Sequence, residues 1–153
     1  MNINEEVIQT FYSAFAKLDY VTMQNCYDED AIFNDPVFGI LHGEQIRSMW
    51  QMLCTNAKGF SLQFDKIEAG QEYGTCCWTA KYTFSKTGRS VINNVKAHMR
   101  FKDGKIIEHT DEFDLYKWSR QAFGMQGWLL GWSGFMKNKI RHQALSNLNK
   151  FKL

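Results

Sequence analysis

Proline is nearly missing from this sequence: Pro36 is the only one in 153 residues. It removes a backbone donor and pushes Asp35 toward an extended conformation. Cysteine is sparse and unpatterned. Cys26, Cys54, Cys76 and Cys77 form no C-x-x-C pair, and the adjacent Cys76 and Cys77 would point to opposite faces of a strand. This argues against a zinc site or a disulfide framework, and for reduced thiols in a cytoplasmic protein. No basic stretch followed by an apolar run is present near the N-terminus, and no apolar run approaches the roughly 18 residues of a membrane span. Export and membrane crossing are therefore not expected. No glycine-rich phosphate loop or serine-nucleophile motif occurs, and nothing calls for a cofactor. Acidic residues are absent from residues 117–153, which carry Lys117, Arg120, Lys137, Lys139, Arg141, Lys150 and Lys152. That tail has a net charge of +7, against −5 for the first 116 residues.

What is present fits one soluble domain. The length suits a single core that buries most of its apolar surface without disulfide staples. The 44% hydrophobic and 22% charged fractions are ordinary. Aromatic residues reach 15%, and large rings both fill cores and line apolar pockets.

The first segment reads as a helix. Asn2 and Glu5 resemble a capping pair, and Val7, Ile8, Phe11, Phe15 and Leu18 recur at helical spacing. A second helix follows the N-cap Asp19, with Tyr20, Met23 and Tyr27 on one face, and stops in Asp28-Glu29-Asp30. Ala31–Phe33 reads as a short extended piece halted by Asn34-Asp35-Pro36. A third helix starts near Gly43-Glu44, with Ile46, Met49, Trp50 and Leu53 on one face. The period then changes. Residues 60–69, 74–85, 91–102 and 105–117 are rich in β-branched and aromatic residues and are separated by Gly70, Thr87-Gly88 and Asp103-Gly104. Asp103-Gly104 is a strong hairpin signal, because a type I′ turn needs positive φ. Helices first and strands afterwards predict an α+β fold, with helices covering one face of the sheet. In the tail, Gly127, Gly131 and Gly134 alternate with Trp128, Trp132 and Phe135, followed by the apolar stripe Met136, Ile140, Ala144, Leu148 and Phe151. A helix is predicted after Gly134, while the glycine-rich part before it reads as helix or coil.

Strand alternation places Ile107, His109, Asp111 and Phe113 on one face, and Glu108, Thr110, Glu112 and Asp114 on the other. An imidazole and a carboxyl group on an otherwise apolar face are what acid/base chemistry requires, because burial and a neighbouring charge pull a carboxyl pKa in opposite directions. Asp35 is a second candidate, a carboxyl group among Ile32, Phe33, Val37 and Phe38. Asp before Pro is also common in ordinary turns. His98 reads as structural or outward-facing. His109 and Asp111 offer two metal ligands but spacing supplies no third, so no metal is expected.

The runs from Leu18-Asp19 to Tyr27-Asp28-Glu29-Asp30-Ala31, Asn34-Asp35-Pro36 and His42-Gly43-Glu44 resemble the opening of ketosteroid isomerases and SnoaL-like polyketide cyclases. Asp103-Gly104-Lys105-Ile106, Glu108-His109, Asp114 and Arg120-Gln121-Ala122-Phe123-Gly124 are most similar to the SnoaL-like branch. Both belong to the nuclear transport factor two-like superfamily. The resemblance covers nearly all of residues 4–124. It implies a curved mixed or antiparallel sheet wrapped by N-terminal helices into a cone-shaped pocket. Residues 125–153 would form a basic amphipathic extension packed on the same domain or on a partner.

Asp35 matches the isomerase's general base. The isomerase's oxyanion hole, a Tyr and a protonated Asp, falls at Phe11 and Ala97 here, so steroid isomerisation by that route is not expected. Tyr12 would face about 100° away from Phe11 on the helix. The resemblance puts His109, Asp111 and Phe113 on the pocket face, with Asp111 the best match to the SnoaL-like acid/base aspartate. Trp78, Ala80, Tyr82 and Met99 would line the same cavity, and Phe11, Tyr12, Tyr27, Trp50 and Ala97 complete the expected ligand-binding set.

The leading expectation is cofactor-independent acid/base catalysis of isomerase, cyclase or hydratase type on a hydrophobic carbonyl-containing molecule. Asp111 and His109 would be the acid/base pair and Asp35 a second carboxylate. The alternative is a non-catalytic ligand-binding or dimerisation module, since one fold hosts both. Epoxide hydrolysis would want an Asp-Arg-Asp arrangement, and Arg100, the only arginine in the predicted strands, lies on the outer face if Ala97 and Met99 point inward. The expected partners are a small molecule, a second copy of the chain in a homodimer, and weak contact of the basic tail with a membrane surface. Nucleic acid is not expected.

Overall fold

The structure is a computed structural model that describes residues 1–130 and 133–152. Gly131 and Trp132, two of the alternating tail residues, lie outside the described residues. The element order is α1 (Ile3–Ala16), α2 (Tyr20–Asn25), β1 (Tyr27–Asp35), β2 (Gly39–His42), α3 (Glu44–Asn56), β3 (Ser61–Ala69), β4 (Tyr73–Phe84), β5 (Arg89–Lys102), β6 (Lys105–Glu112), α4 (Leu115–Phe123), α5 (Met125–Leu130) and α6 (Gly134–Lys152).

The α+β expectation holds. Six strands form one curved, unclosed mixed sheet in the order β2-β1-β6-β5-β4-β3. Every pairing is antiparallel except β1 with β6, which is parallel. The β5–β6 hairpin turns at Asp103 and Gly104, with φ values of 52° and 75°, as the Asp-Gly signal requires.

Helix α1 starts with a complete capping box between Asn2 and Glu5. Its buried residues Ile8, Phe11, Tyr12 and Phe15 fall at i, i+3, i+4 and i+7, a stripe wide enough to turn both Phe11 and Tyr12 toward the sheet. Tyr12, about 100° around the helix from Phe11, is thus still on the buried face. Asp19 caps α2 through the Thr22 N–H, also as expected.

The largest departures from the sequence reading lie around β1, at the end of β6 and on one face of α3. Tyr27 opens β1 instead of closing α2. A register shift between Tyr27 and Ile32 breaks the strand's alternation and hides its first half. The extended piece thus runs for nine residues and pairs with β2, which the sequence reading lacked. β6 stops at Glu112, and Asp114 accepts from the Lys117 N–H as the N-cap of α4. In α3, Ile46, Met49 and Trp50 are buried as expected, but Leu53 is exposed and Met52 and Cys54 are buried instead.

The main core lies between the concave sheet face and helices α1, α2 and α3. Helix α6 joins it, with Leu148 buried in the main core and Met136 and Ile140 buried in a smaller cluster with Val91, Leu115, Trp118 and Ala122. Val37, Tyr82 and Phe113 touch both clusters and form the seam between them. Among the described residues, no helix is long and apolar enough to cross a membrane.

Candidate functional site

The sheet register sets the site. Phe33 on β1 aligns with His109 on β6, and Asn34 with Thr110. Continuing that parallel register places Asp35 beside Asp111. On the other side, β5 sets Met99 opposite His109 and Ala97 opposite Asp111. Cys76 on β4 follows, opposite Ala97. Residues paired across neighbouring strands share a face, so the sheet brings Asp35, His109 and Asp111 together on its concave side.

His109 is fully enclosed, its side chain 0% exposed. The Phe11 ring meets the imidazole edge-on at 5.7 Å and Phe33 does so at 5.1 Å, while Tyr27 and Trp50 stack at 6.0 and 6.4 Å. This box excludes water and leaves the ring one orientation.

Its hydrogen bonds form a chain. Trp50 Nε1 donates to the Tyr27 hydroxyl at 3.0 Å, Tyr27 bonds to His109 Nδ1 at 2.6 Å, and His109 Nε2 bonds to Asp111 Oδ1 at 2.8 Å. An indole has only a donor, so the Tyr27 oxygen accepts from Trp50 and gives its own hydrogen to Nδ1. Nδ1 then carries no hydrogen, and Nε2 carries it toward Asp111. This assignment follows from the network and uses every donor once. Among the described residues, His109 is the only hydrogen-bond partner of Asp111, which leaves its second carboxyl oxygen free for other work.

Asp35 sits where β1 turns at Pro36. Its Oδ1 accepts from the N–H groups of Val37 (3.0 Å) and Phe38 (2.6 Å). The residue's outer surface touches solvent, but the carboxyl group is desolvated. Burial pushes it up to about 7, and the charge of Asp111 adds to the rise, while the two N–H bonds and His109 oppose it. Beside it, the Tyr82 hydroxyl accepts from Trp118 Nε1 at 2.7 Å. Burial raises the Tyr82 phenol, the Trp118 bond opposes this and Asp35 adds to it. Arg141 of α6 reaches over the same turn, donating to the Pro36 carbonyl at 3.3 Å.

Of the expected lining residues, Phe11, Tyr12, Tyr27, Trp50, Trp78, Ala97 and Met99 are all buried in the main core, while Tyr82 and Phe113 are partly buried at its seam. Tyr12 packs on Phe64 and Trp78, with ring centroids 5.7 and 6.1 Å away. Neither the Tyr12 hydroxyl nor Trp78 Nε1 has a partner within hydrogen-bond geometry. Burial first, and then the charge of Asp111, hold the Tyr12 hydroxyl well above its usual range. The indole dipole of Trp78 opposes that rise without closing a bond.

Other chemistries find less support. Burial pushes the Cys76 thiol up to about 12 and those of Cys26 and Cys54 to about 11, so none is a ready nucleophile. Arg100 lies on the outer face as expected, paired with Glu108 at 3.1 Å and Glu72 at 3.5 Å. β5 also includes Arg89, correcting the count of strand arginines, and Arg89 Nε donates to the Gln121 carbonyl away from the site. His98 faces outward toward Glu112 at 3.2 Å. A surface recess of about 430 Å³ lined by Asn2, Ile3, Asn4 and the Gly70 and Gly104 turns lies apart from this cluster and gathers no titratable set of its own.

Sequence reasoning misses the role of the Tyr27 hydroxyl and the Trp50 indole as the far end of the His109 chain. It puts Tyr27 at the end of a helix, where nothing in the local pattern marks its hydroxyl as the partner of His109.

The sequence model of the family described as a SnoaL-like domain matches residues 8–109. No curated protein matches the chain significantly. Among solved structures, an NTF2-like protein of unknown function from Burkholderia pseudomallei superposes with a TM-score of 0.69 at 20% identity, covering 81% of this chain and 100% of that one. A putative polyketide cyclase from a Silicibacter species gives 0.68 at 18% identity, covering 77% and 93%. An LEH-like epoxide hydrolase of M. tuberculosis gives 0.67 at 17%, covering 83% and 92%. At such identities the likeness speaks to the fold alone.

Proposed function

The chain belongs to the SnoaL-like domain family, and from that premise we propose that it carries out cofactor-independent acid/base chemistry, of isomerase, cyclase or hydratase type, on a hydrophobic carbonyl-containing molecule. The observation that carries this reading is the enclosed chain Trp50–Tyr27–His109–Asp111 ending in a carboxyl group beside Asp35. Asp111 exchanges a proton with the substrate through its free oxygen. His109, fixed in one tautomer, holds the carboxyl group in place. Asp35, which titrates near neutrality, is the second proton carrier or orients a water. The apolar rings on the concave face accommodate the substrate's body.

Model ketones stand in for the natural substrate in the test. A panel of polycyclic and cyclic ketones is incubated with protein in D2O, and exchange at carbons next to the carbonyl is followed by NMR. Wild-type protein accelerates exchange for members that fit, and Asp111→Asn slows it by about 10²–10⁴ while remaining folded. Binding without exchange by the wild type would instead establish the rival, a non-catalytic ligand-binding module. Equal exchange by both proteins would remove Asp111 from the chemistry.

The tail supports a second reading, a partner for the surface. Met125, Trp128 and Phe135 are 77%, 59% and 72% exposed, in a stretch whose charges are all basic. Arg120 lies over the faces of Tyr116 and Trp128 at 4.9 and 4.4 Å. Aromatic and aliphatic groups set among cations suit an anionic bilayer surface. Because Leu148 of α6 is buried in the main core, truncation at Gly124 would damage the fold, so the clean comparison is Trp128→Ser/Phe135→Ser in the full chain. Wild-type protein co-sediments with phosphatidylglycerol vesicles and the double variant does not. Equal retention of both, or retention of neither, refutes this reading.

A further inference from the structure

Strand β5 runs past the end of its neighbour. β6 stops at Glu112, opposite Lys96, whereas β5 starts at Arg89. In an antiparallel ladder each residue turns its N–H and C=O to one neighbouring strand, and successive residues alternate between the two. Ile92 and Asn94 share the parity of Lys96, so all three present their main chain to the β6 side. At Ile92 a side chain takes that side. Gln121 of α4 accepts from the Ile92 N–H at 2.8 Å and donates to the Ile92 C=O at 3.0 Å, its carboxamide standing in for a strand residue. Arg89 Nε donates to the Gln121 carbonyl at 2.7 Å and fixes the helix against the strand.

Asn94 lies two residues further along the same edge, about 7 Å away. Its side chain is drawn toward β4, where the Thr79 hydroxyl donates to Asn94 Oδ1 at 2.7 Å. Among the described residues its main-chain N–H and C=O have no partner, because the chain leaves β6 before Asp114 and starts α4. A recess of about 210 Å³ opens at this point, lined by Ile92, Asn93, Asn94, Asp114, Lys117 and Gln121. Asp114, Lys117 and Gln121 recur at helical spacing and form its α4 wall. Asp114 Oδ1 caps α4 through the Lys117 N–H. Among the described residues, neither the Asp114 carboxylate nor the Lys117 ammonium enters an ion pair.

We propose that this recess binds a small zwitterion bearing a primary carboxamide, the class of glutamine and asparagine. The ligand's carboxamide repeats on Asn94 what Gln121 does on Ile92, accepting from the N–H and donating to the C=O. Its carboxylate meets Lys117 and its ammonium meets Asp114. The site lies at the sheet edge, outside the cluster of Asp35, His109 and Asp111, and stands independently of the acid/base reading. It recognises and makes or breaks no bond. A carboxylate in place of the carboxamide would set an oxygen against the Asn94 C=O with no hydrogen between them. Selectivity therefore rests on the carboxamide, while the two charged contacts, exposed to water, add little each.

The test is an NMR titration of the full chain, labelled with 15N, in which the backbone amide signals are followed as L-glutamine is added. Saturable shifts centred on Asn94 and Lys117 are expected in the millimolar range, with the amides of β1 and α1 unmoved. L-glutamate, tested in the same way, binds about tenfold more weakly. Lys117→Met removes the ammonium, and Asp114→Asn removes a charge while keeping the oxygen that caps α4. Each variant weakens glutamine binding by about two- to fivefold, the worth of one exposed ion pair. N-acetyl-glutamine methylamide separates a free zwitterion from the glutamine side chain of a protein partner, and it binds more weakly than glutamine. Absence of a saturable shift at Asn94 overturns the proposal. Glutamate binding as tightly as glutamine overturns it too, because the carboxamide would then not be what is read. Equal binding of the blocked glutamine, or unchanged affinity in both variants, overturns the assignment to a zwitterion.

Discussion

Replacing Asp35 with asparagine removes one desolvated titratable group and keeps the oxygen that the Val37 and Phe38 N–H groups require. In the unfolded chain this carboxyl titrates near ~3.9, whereas in the fold burial and the charge of Asp111 push it up to about 7. Between those values the folded protein holds one more proton than the unfolded chain. Stability therefore falls as pH rises, by about 1.4 kcal/mol per pH unit, and the contribution is complete below pH ~4 and lost above pH ~7. From pH 5 to pH 8 the expected loss is roughly 2–3 kcal/mol, with screening by the partly exposed surface acting to reduce it. The Asp35→Asn variant has no such slope. Urea denaturation of both proteins at pH 5 and pH 8 isolates the effect, since every other group titrates in both. The gap between them changes over that range by about 1 M in urea midpoint, the variant being the relatively more stable at pH 8. If the two proteins lose equal stability within ~0.5 kcal/mol, Asp35 is not held protonated by the fold, and its part in proton transfer near neutrality fails with it.

Tyr27→Phe breaks the chain in its middle, leaving the Trp50 donor and His109 Nδ1 unpaired; a loss of about 1–3 kcal/mol by urea denaturation is expected. Gly127 lies against the backbone of α4, where a Cβ would collide with the Ser119 carbonyl group. Gly127→Ala should therefore displace α5, seen as faster amide exchange from residue 125 to 130, with little change at β6. Of the four thiols only Cys77 is not buried, so brief native alkylation followed by mass spectrometry should label Cys77 first, and early labelling of Cys76 would contradict its enclosure.

The helical and strand periods make most of the architecture legible. Asn2 with Glu5, Asp19, and Asp103-Gly104 act through local geometry, and the structure uses each in the expected way. The concave face of β6 is equally plain, because alternation alone puts His109 and Asp111 on it. What escapes is controlled by distant partners. β1 reads as a helix end followed by a fragment because its bulge removes the period that marks a strand, and only pairing with β6 and β2 makes the whole run extended. Asp114 reads as one more strand residue because a helix cap and a strand terminus draw on the same residue type.

By itself, then, the sequence determined the fold class, the course of its long strands and which face carries the acid and the imidazole, since these depend on neighbours within a few residues. The tertiary structure decided the rest. It set Asp35 beside Asp111 through a parallel register between segments far apart in the chain, and raised its carboxyl by burial. It also closed Trp50 on Tyr27 and left Trp78 and Tyr12 open. A hydrogen bond needs a partner at a fixed distance, and no local pattern specifies which indole will find one.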